Sequence, residues 1–130
     1  MLTAHLPAQL RASIEAAARR FPTPELTAAA RRLSDAYRRD GGHRIESPLE
    51  AAAYAASRMP ATYAAISAAF REIQPPIGSI LDLGAGTGAA GWAAKSVFGE
   101  QVQVTALEPN QRLRALGQEA GDEQVDWRGG

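Results

Sequence analysis

Residues 79–110 read SILDLGAGTGAAGWAAKSVFGEQVQVTALEPN, and this stretch decides the fold class. A short strand-like run at 79–83 leads into a glycine-rich turn and a helical stretch from about 88 to 98. The next run, 102–107, carries β-branched residues at alternate positions, which is typical of a strand. Strand, turn, helix and strand form a βαβ unit with a right-handed crossover. We therefore predict an α/β fold with parallel strands.

The residues that follow extend this unit by one more repeat. Leu113 and Leu116 lie on one face of a predicted helix after the second strand. Val125-Asp126-Trp127 then predicts a third strand.

The residues that precede the unit predict a helical region. Leu6, Leu10 and Ile14 recur at four-residue spacing, which indicates an amphipathic helix from about 7 to 20. Thr23-Pro24 predicts the start of a second helix, with the Thr23 hydroxyl as its cap, and this helix runs to Asp40 before Gly41-Gly42.

A capping box predicts where the third helix begins. Ser47 and Glu50 are three residues apart and can satisfy the free amides of a first turn. We expect this helix to break near Met59, because Pro60 cannot continue the hydrogen-bond ladder. A further helix would then carry Tyr63 on one face with Ile66 and Phe70. Residues 74–78 form a linker, so we predict a helical region at 1–74 and the first part of a cofactor-binding domain at 75–130.

Composition excludes several classes of site. The chain of 130 residues has no cysteine, so disulfides, thiolate metal sites and iron–sulfur clusters cannot form within it. Two histidines make a histidine-rich metal site a poor expectation, and we predict no metal. No apolar run approaches the ~20 residues that cross a bilayer, and the N-terminus does not resemble a signal peptide. We predict a cytoplasmic protein without a membrane partner.

The glycine-rich turn, 84–88, is the motif that carries chemistry. Positions without a Cβ allow a sharp strand-to-helix turn and let a ligand lie against the backbone beside an electropositive helix N-terminus. Glu108 follows Gly86 by twenty-two residues, at the end of the next strand. A carboxylate at that position can accept hydrogen bonds from both hydroxyls of a ribose. The pair predicts a ligand that contains adenosine.

Two adenosine ligands remain open from the residues. Gly86, Gly88 and Gly91 match G-x-G-x-x-G, so NAD is one candidate. Asp82, two residues before the first glycine, opposes it because a fixed negative charge would repel a pyrophosphate. The same charge would help to bind the ammonium group of S-adenosylmethionine, which has no phosphate. We favour S-adenosylmethionine.

These residues resemble a known family. Asp-Leu-Gly-Ala-Gly-Thr-Gly at 82–88, with Leu-Glu-Pro at 107–109, resembles the first two motifs of class I S-adenosylmethionine-dependent methyltransferases. The stretch Ala-Tyr-Ala-Ala-Ser-Arg-Met-Pro-Ala-Thr-Tyr-Ala-Ala at 53–65, with Trp92-Ala93-Ala94, resembles more narrowly the mitochondrial small-ribosomal-subunit assembly factors and their bacterial relatives. The resemblance spans roughly residues 45–110. It implies an incomplete Rossmann-like unit and a methyltransferase that acts on ribosomal RNA or in small-subunit assembly.

The resemblance also implies roles for individual residues. The expected cofactor-binding set is Asp82, Gly84, Ala85, Gly86, Gly88, Glu108, Pro109, Asn110, Arg58 and Tyr63. Within it, the glycines would line the methionine end, Asp82 would hold the amino group and Glu108 the ribose. For Tyr63 the alternative is core packing, and for Arg58 it is hydrogen bonding near the Pro60 break. No residue is assigned as catalytic.

The chain departs from the family's pattern in two ways. A complete class I methyltransferase has seven strands, and the family is expected to hold an iron–sulfur cluster through cysteines that this chain lacks. We therefore expect the N-terminal part of a longer enzyme, inactive alone, which self-associates through its open sheet edge. The alternative function is a non-catalytic ribosome-assembly module.

An arginine-rich helix face is the candidate RNA contact. Arg31 and Arg38, like Arg32 and Arg39, are seven residues apart and share a face. Asp35 lies within reach of all four, so we favour a solvated face over an RNA contact.

Overall fold

The computed structural model of the chain describes residues 6–41, 44–74, 76–121 and 125–130; Gly42 and Pro75 of the predicted helix end and linker lie outside them. Its elements are α1 (Ala8–Ala18), α2 (Thr23–Asp40), α3 (Pro48–Arg71), β1 (Ser79–Leu83), α4 (Ala89–Phe98), β2 (Gln103–Leu107), α5 (Gln111–Ala120) and β3 (Val125–Arg128). The strands form one sheet in the order β1-β2-β3, and both pairings are parallel. The predicted α/β class, a helical region followed by an incomplete Rossmann-like unit, is confirmed.

The predicted break at Pro60 is wrong. Helix α3 runs without interruption through Pro60, which is buried inside it. A proline in a helix interior loses one backbone hydrogen bond and costs about 3 kcal/mol. Met59 and Tyr63 on either side are buried in the core against α1 and α4, and this burial offsets the loss. Tertiary packing therefore keeps α3 continuous, although the local rule for proline predicts two helices.

The helix ends differ in how they are capped. The Ser47 hydroxyl accepts the backbone N–H of Glu50 at 3.1 Å, which confirms the predicted cap of α3. The predicted Thr23 cap is wrong: α2 begins at Thr23 itself, after Pro22, and no side chain caps it. At the other end of α2, Gly41 has the left-handed conformation, with φ of 77°, that favours glycine at a helix end.

The two faces of the sheet have different environments. Residues aligned across the strands point to the same side, so Val104 lies between Ile80 and Val125 on one face. That face is covered by α4, and Val104 is buried. On the opposite face Leu81 is 61% exposed and Leu83 is 70% exposed. This open face, beside the edge strand β1, is the surface on which the predicted self-association rests.

A shared core joins the helical region to the βαβ unit. Leu6 and Leu10 pack with Met59 and Tyr63 of α3 and with Ala93 of α4. Helix α3 also contacts α2 and α5, so it is the central support of the site described below. None of the described helices is long and apolar enough to cross a membrane.

Candidate functional site

The glycine-rich turn adopts the conformation that its sequence predicts. Gly84, Gly86 and Gly88 have φ angles of 72°, 60° and 98°, a region that side chains with a Cβ rarely adopt. The backbone N–H groups of Gly84 and Ala85 both donate to the carbonyl of Leu107 at 2.9 Å. The turn is thereby fastened to the end of β2, and Gly88 is the N-cap of α4.

Glu108 ties the turn to the end of β2 a second time. The residue is buried, with 7% of its surface exposed. One oxygen accepts the N–H of Gly86 at 2.7 Å, and the other accepts the N–H of Asn110 at 2.8 Å. Hydrogen bonds from backbone amides to an ionised carboxylate are among the strong ones. The residue predicted to bind ribose therefore also holds the glycine turn in shape.

Asp82 makes this end of the sheet acidic. It aligns with Ala106 in the sheet, on the covered face, one residue before the end of β1. Burial raises the pKa of Asp82, and the nearby charge of Glu108 raises it further. Each oxygen of an ionised carboxylate can accept more than one hydrogen bond. Two carboxylates in one partly desolvated place favour a ligand that carries positive charge.

Tyr54 is a site residue that the sequence analysis missed. Its hydroxyl lies 3.4 Å from the position that a Cβ on Gly86 would occupy. Burial raises the pKa of Tyr54; the charge of Arg58 opposes this rise, and the charge of Glu108 adds to it. The signal was present, because Tyr54 lies within the stretch that carries the family resemblance.

The helical period explains why Tyr54 faces the site and Tyr63 does not. At about 3.6 residues per turn, positions nine apart lie on opposite sides of a continuous helix. Tyr54 and Arg58 therefore face the site, while Tyr63 is buried in the core at 5% exposure. Core packing, the alternative given for Tyr63, is where the structure places it.

Two adjoining cavities lie between this turn and the helices. The smaller, about 100 Å³, is lined by residues of the turn and of α3: Tyr54, Met59, Thr62, Ile66, Asp82, Gly84, Ala85, Thr87, Ala89 and Ala90. The larger is a groove of about 920 Å³ between α2, α3 and the end of β2. Tyr54 and Thr62 line both cavities, so one ligand can extend from the first into the second.

The remaining predicted residues surround the groove. Asn110 caps α5 by accepting the N–H groups of Arg112 and Leu113, and its side-chain NH₂ donates to the carbonyl of Ile45 at 2.9 Å. Pro109 is exposed at the same turn. Arg58 lines the groove, with its guanidinium carbon 5.3 Å from the ring centre of Tyr37. In the part of the chain that the structure describes, no cluster of three acidic or histidine side chains could hold a metal ion.

Comparison with known families decides the assignment. Residues 48–128, from the start of α3 to the end of β3, match the model of the family described as mitochondrial small ribosomal subunit Rsm22. The chain belongs to the Rsm22 family. The match covers more than half of the chain and includes the glycine turn, Glu108 and Tyr54, whereas α1 and α2 lie outside it. No curated protein matches the chain.

Membership establishes a coarse function. The Rsm22 family is methyltransferase-like and is related to the small ribosomal subunit. The predicted resemblance to ribosomal assembly factors is confirmed at that level. The matched segment supplies the sheet end and one wall of the groove, while α2 supplies the other wall.

Proposed function

We propose that this chain binds S-adenosylmethionine and forms the cofactor-binding part of a methyltransferase that acts on RNA of the small ribosomal subunit. The observation that carries the proposal is the pair of carboxylates, Asp82 and Glu108, at the ends of two adjacent parallel strands around a glycine turn. When bound, S-adenosylmethionine supplies a methyl group on a positively charged sulfur.

The charge of the site supports this cofactor over a dinucleotide. A pyrophosphate in a G-x-G-x-x-G turn needs free backbone N–H groups and no competing anion. Here the N–H of Gly86 already donates to the Glu108 carboxylate, and Asp82 adds a second negative charge. Such a place repels a pyrophosphate and attracts an ammonium group and a sulfonium.

The two cavities support a division of the cofactor between them. The smaller cavity, with Asp82 and the glycines, fits an amino-acid portion and offers Asp82 to its ammonium group. The groove offers Glu108 to ribose hydroxyls and the cap residue Asn110 near the base. Tyr54, at the junction, would exclude water from the point where the two portions meet.

Methyl transfer depends little on acid–base catalysis. The reaction needs the methyl carbon held in line with an acceptor atom, which is a matter of position. The residues described above bind and orient the donor.

One observation favours the alternative, a ribosome-binding module without catalysis. Both oxygens of Glu108 are already bonded to backbone N–H groups, so the turn keeps its shape without a ligand. A module of this kind would dock through its surface and bind no cofactor.

Calorimetric titration with S-adenosylhomocysteine and, separately, NAD tests the proposal. We expect S-adenosylhomocysteine to bind and NAD not to bind. Asp82→Asn and Glu108→Gln should each weaken the first ligand about tenfold or more, since each removes a charge-assisted hydrogen bond. Glu100→Ala, an exposed acid away from the site, is the matched control. Absence of S-adenosylhomocysteine binding in a folded chain would favour the non-catalytic module, and NAD binding would favour an oxidoreductase.

A further inference from the structure

The groove between α2 and α3 is larger and more basic than a bound cofactor requires. Its lining includes three arginines, one from α2, one from the segment before α3 and one from α3: Arg31, Arg44 and Arg58. All three are exposed. Within the described residues, the salt bridges involve other arginines, and these three form none.

Charge is segregated along the groove. Glu108 is the acidic residue among the described lining residues, and its two oxygens accept backbone N–H groups. Glu108 lies at the end next to the glycine turn, and three arginines are the other charged residues of the described lining. A cation suits the first end and a polyanion suits the second.

An exposed aromatic ring lies in the basic part. Tyr37 is 60% exposed, and Arg58 lies over its ring at 5.3 Å. A ring beside arginine is the combination on which unpaired nucleic-acid bases stack, because every base offers a flat face.

We propose that this groove binds single-stranded RNA, with phosphates at Arg31, Arg44 and Arg58 and a base stacked on Tyr37. The groove opens onto the junction at Tyr54, so a strand bound there leads toward the cofactor cavity. The inference rests on the proposed function and names the surface on which its substrate lies. An unpaired strand is favoured over a duplex, because bases inside a duplex cannot reach the Tyr37 ring.

This surface shares only Arg31 with the arginine face considered in the sequence. Of the four arginines on α2, Arg31 lines the groove, whereas Arg38 lies 4.0 Å from Asp35. Arg32 is exposed but does not line the groove. Arg31 and Arg44 lie outside the segment matched by the family, whereas Arg58 lies inside it.

Fluorescence anisotropy with labelled RNA tests the inference. The probe is a mixed-sequence single strand of about twelve nucleotides, within the range that one site covers. We expect binding at low salt that weakens as salt rises, with a slope of about −0.7 for each phosphate neutralised. Arg31→Gln should reduce the magnitude of that slope by about 0.7, and Tyr37→Ala should weaken binding about fivefold or more. Tyr37→Phe keeps the ring and should bind like the unaltered chain.

Arg32→Gln is the matched control, because it removes an equal charge from the neighbouring position. If Arg32→Gln weakens binding as much as Arg31→Gln, the contact is a diffuse surface charge and the inference is wrong. Equal binding of duplex and single strand, full displacement by polyglutamate, or no binding at low salt would also overturn it. Titration of the same variants with S-adenosylhomocysteine separates the two proposals. Variants that lose RNA binding and keep S-adenosylhomocysteine are the expected result. If the unaltered chain binds S-adenosylhomocysteine but no RNA, the groove is overturned alone, and if it binds RNA but no S-adenosylhomocysteine, the cofactor site is overturned alone.

Discussion

The two walls of the site differ in what holds them in place. The glycine wall, residues 82–88 and 108–110, is held by backbone hydrogen bonds to Leu107 and by the buried Glu108 carboxylate. The helical wall, α2, α3 and residues 44–45, presents the exposed side chains of Arg44, Arg58 and Tyr37, and Arg58 contacts the Tyr37 ring, whereas Ile45 is buried. Changes in the glycine wall should therefore affect stability as well as binding, and changes in the helical wall should affect binding alone.

Loss of the Glu108 carboxylate should have the largest effect on stability. Glu108→Ala leaves the buried N–H of Gly86 without its acceptor and removes a second bond to Asn110. We expect unfolding free energy to fall by about 3 kcal/mol, measured by denaturant titration. Arg58→Ala in the helical wall is the comparison and should change stability by less than about 1 kcal/mol. An equal loss of unfolding free energy in Glu108→Ala and Arg58→Ala would contradict the distinction between the two walls.

Gly117→Ala should destabilise the chain although alanine is the better helix former. A Cβ on Gly117 would lie 2.4 Å from the Trp127 ring, which also packs under Gly88 of the glycine wall. We expect a loss of about 1–3 kcal/mol from overpacking, against a gain of about 1 kcal/mol from helix propensity.

Thermal unfolding of Gly117→Ala measures this net effect. Gln118→Ala, an exposed neighbour in α5, should leave the melting temperature unchanged or raise it. Trp127→Leu in the Gly117→Ala background should recover part of the loss. A more stable Gly117→Ala chain would show that Trp127 does not support the turn.

Asp82→Asn should separate stability from binding within the glycine wall. The pKa of Asp82 is raised by burial and by Glu108, so the folded chain holds this proton more tightly than the unfolded chain does. Its contribution to stability is therefore lost as pH rises from about 4, the ordinary aspartate value, through the raised pKa. At neutral pH we expect Asp82→Asn to melt at a higher temperature than the unaltered chain, yet to bind S-adenosylhomocysteine more weakly.

A pH series of melting curves checks the sign. The higher melting temperature of Asp82→Asn should disappear below about pH 4, where the side chain at position 82 is uncharged in the unaltered chain as well as in the variant. Asp126→Asn, whose carboxylate pairs with Arg128 at the surface, should show no such advantage. A stabilising effect that is the same at all pH values would contradict the electrostatic explanation.

Asn110 joins the two walls and should show a smaller effect on stability than Glu108. Asn110→Ala removes the cap of α5 and the bond to Ile45, and we expect a loss of about 1 kcal/mol. Ser47→Ala, the cap of α3, should cost a similar amount. Because Ile45 lines the groove, Asn110→Ala should also weaken RNA binding in the anisotropy assay, whereas Ser47→Ala should not.

Sequence patterns predicted the glycine wall closely and the helical wall poorly. The strand at 79–83, the turn and Glu108 at the end of β2 lie where they were predicted, because each depends on neighbouring residues or on parallel pairing. Tyr54 was not predicted, because the division of α3 at Pro60 left its position relative to Tyr63 on the helix undefined.

The sequence by itself determined the βαβ unit, its positive-φ turn and the acidic residues at the strand ends. These follow from local conformational limits: glycine alone adopts such φ angles easily, and alternation marks a strand. Only the tertiary structure decided which side chains face the site. The bond from Asn110 to Ile45 spans 65 residues, and the contact of Thr87 with Met59 spans 28. Contacts of that separation depend on how whole helices pack, and packing energy in the core overrode the local preference of Pro60.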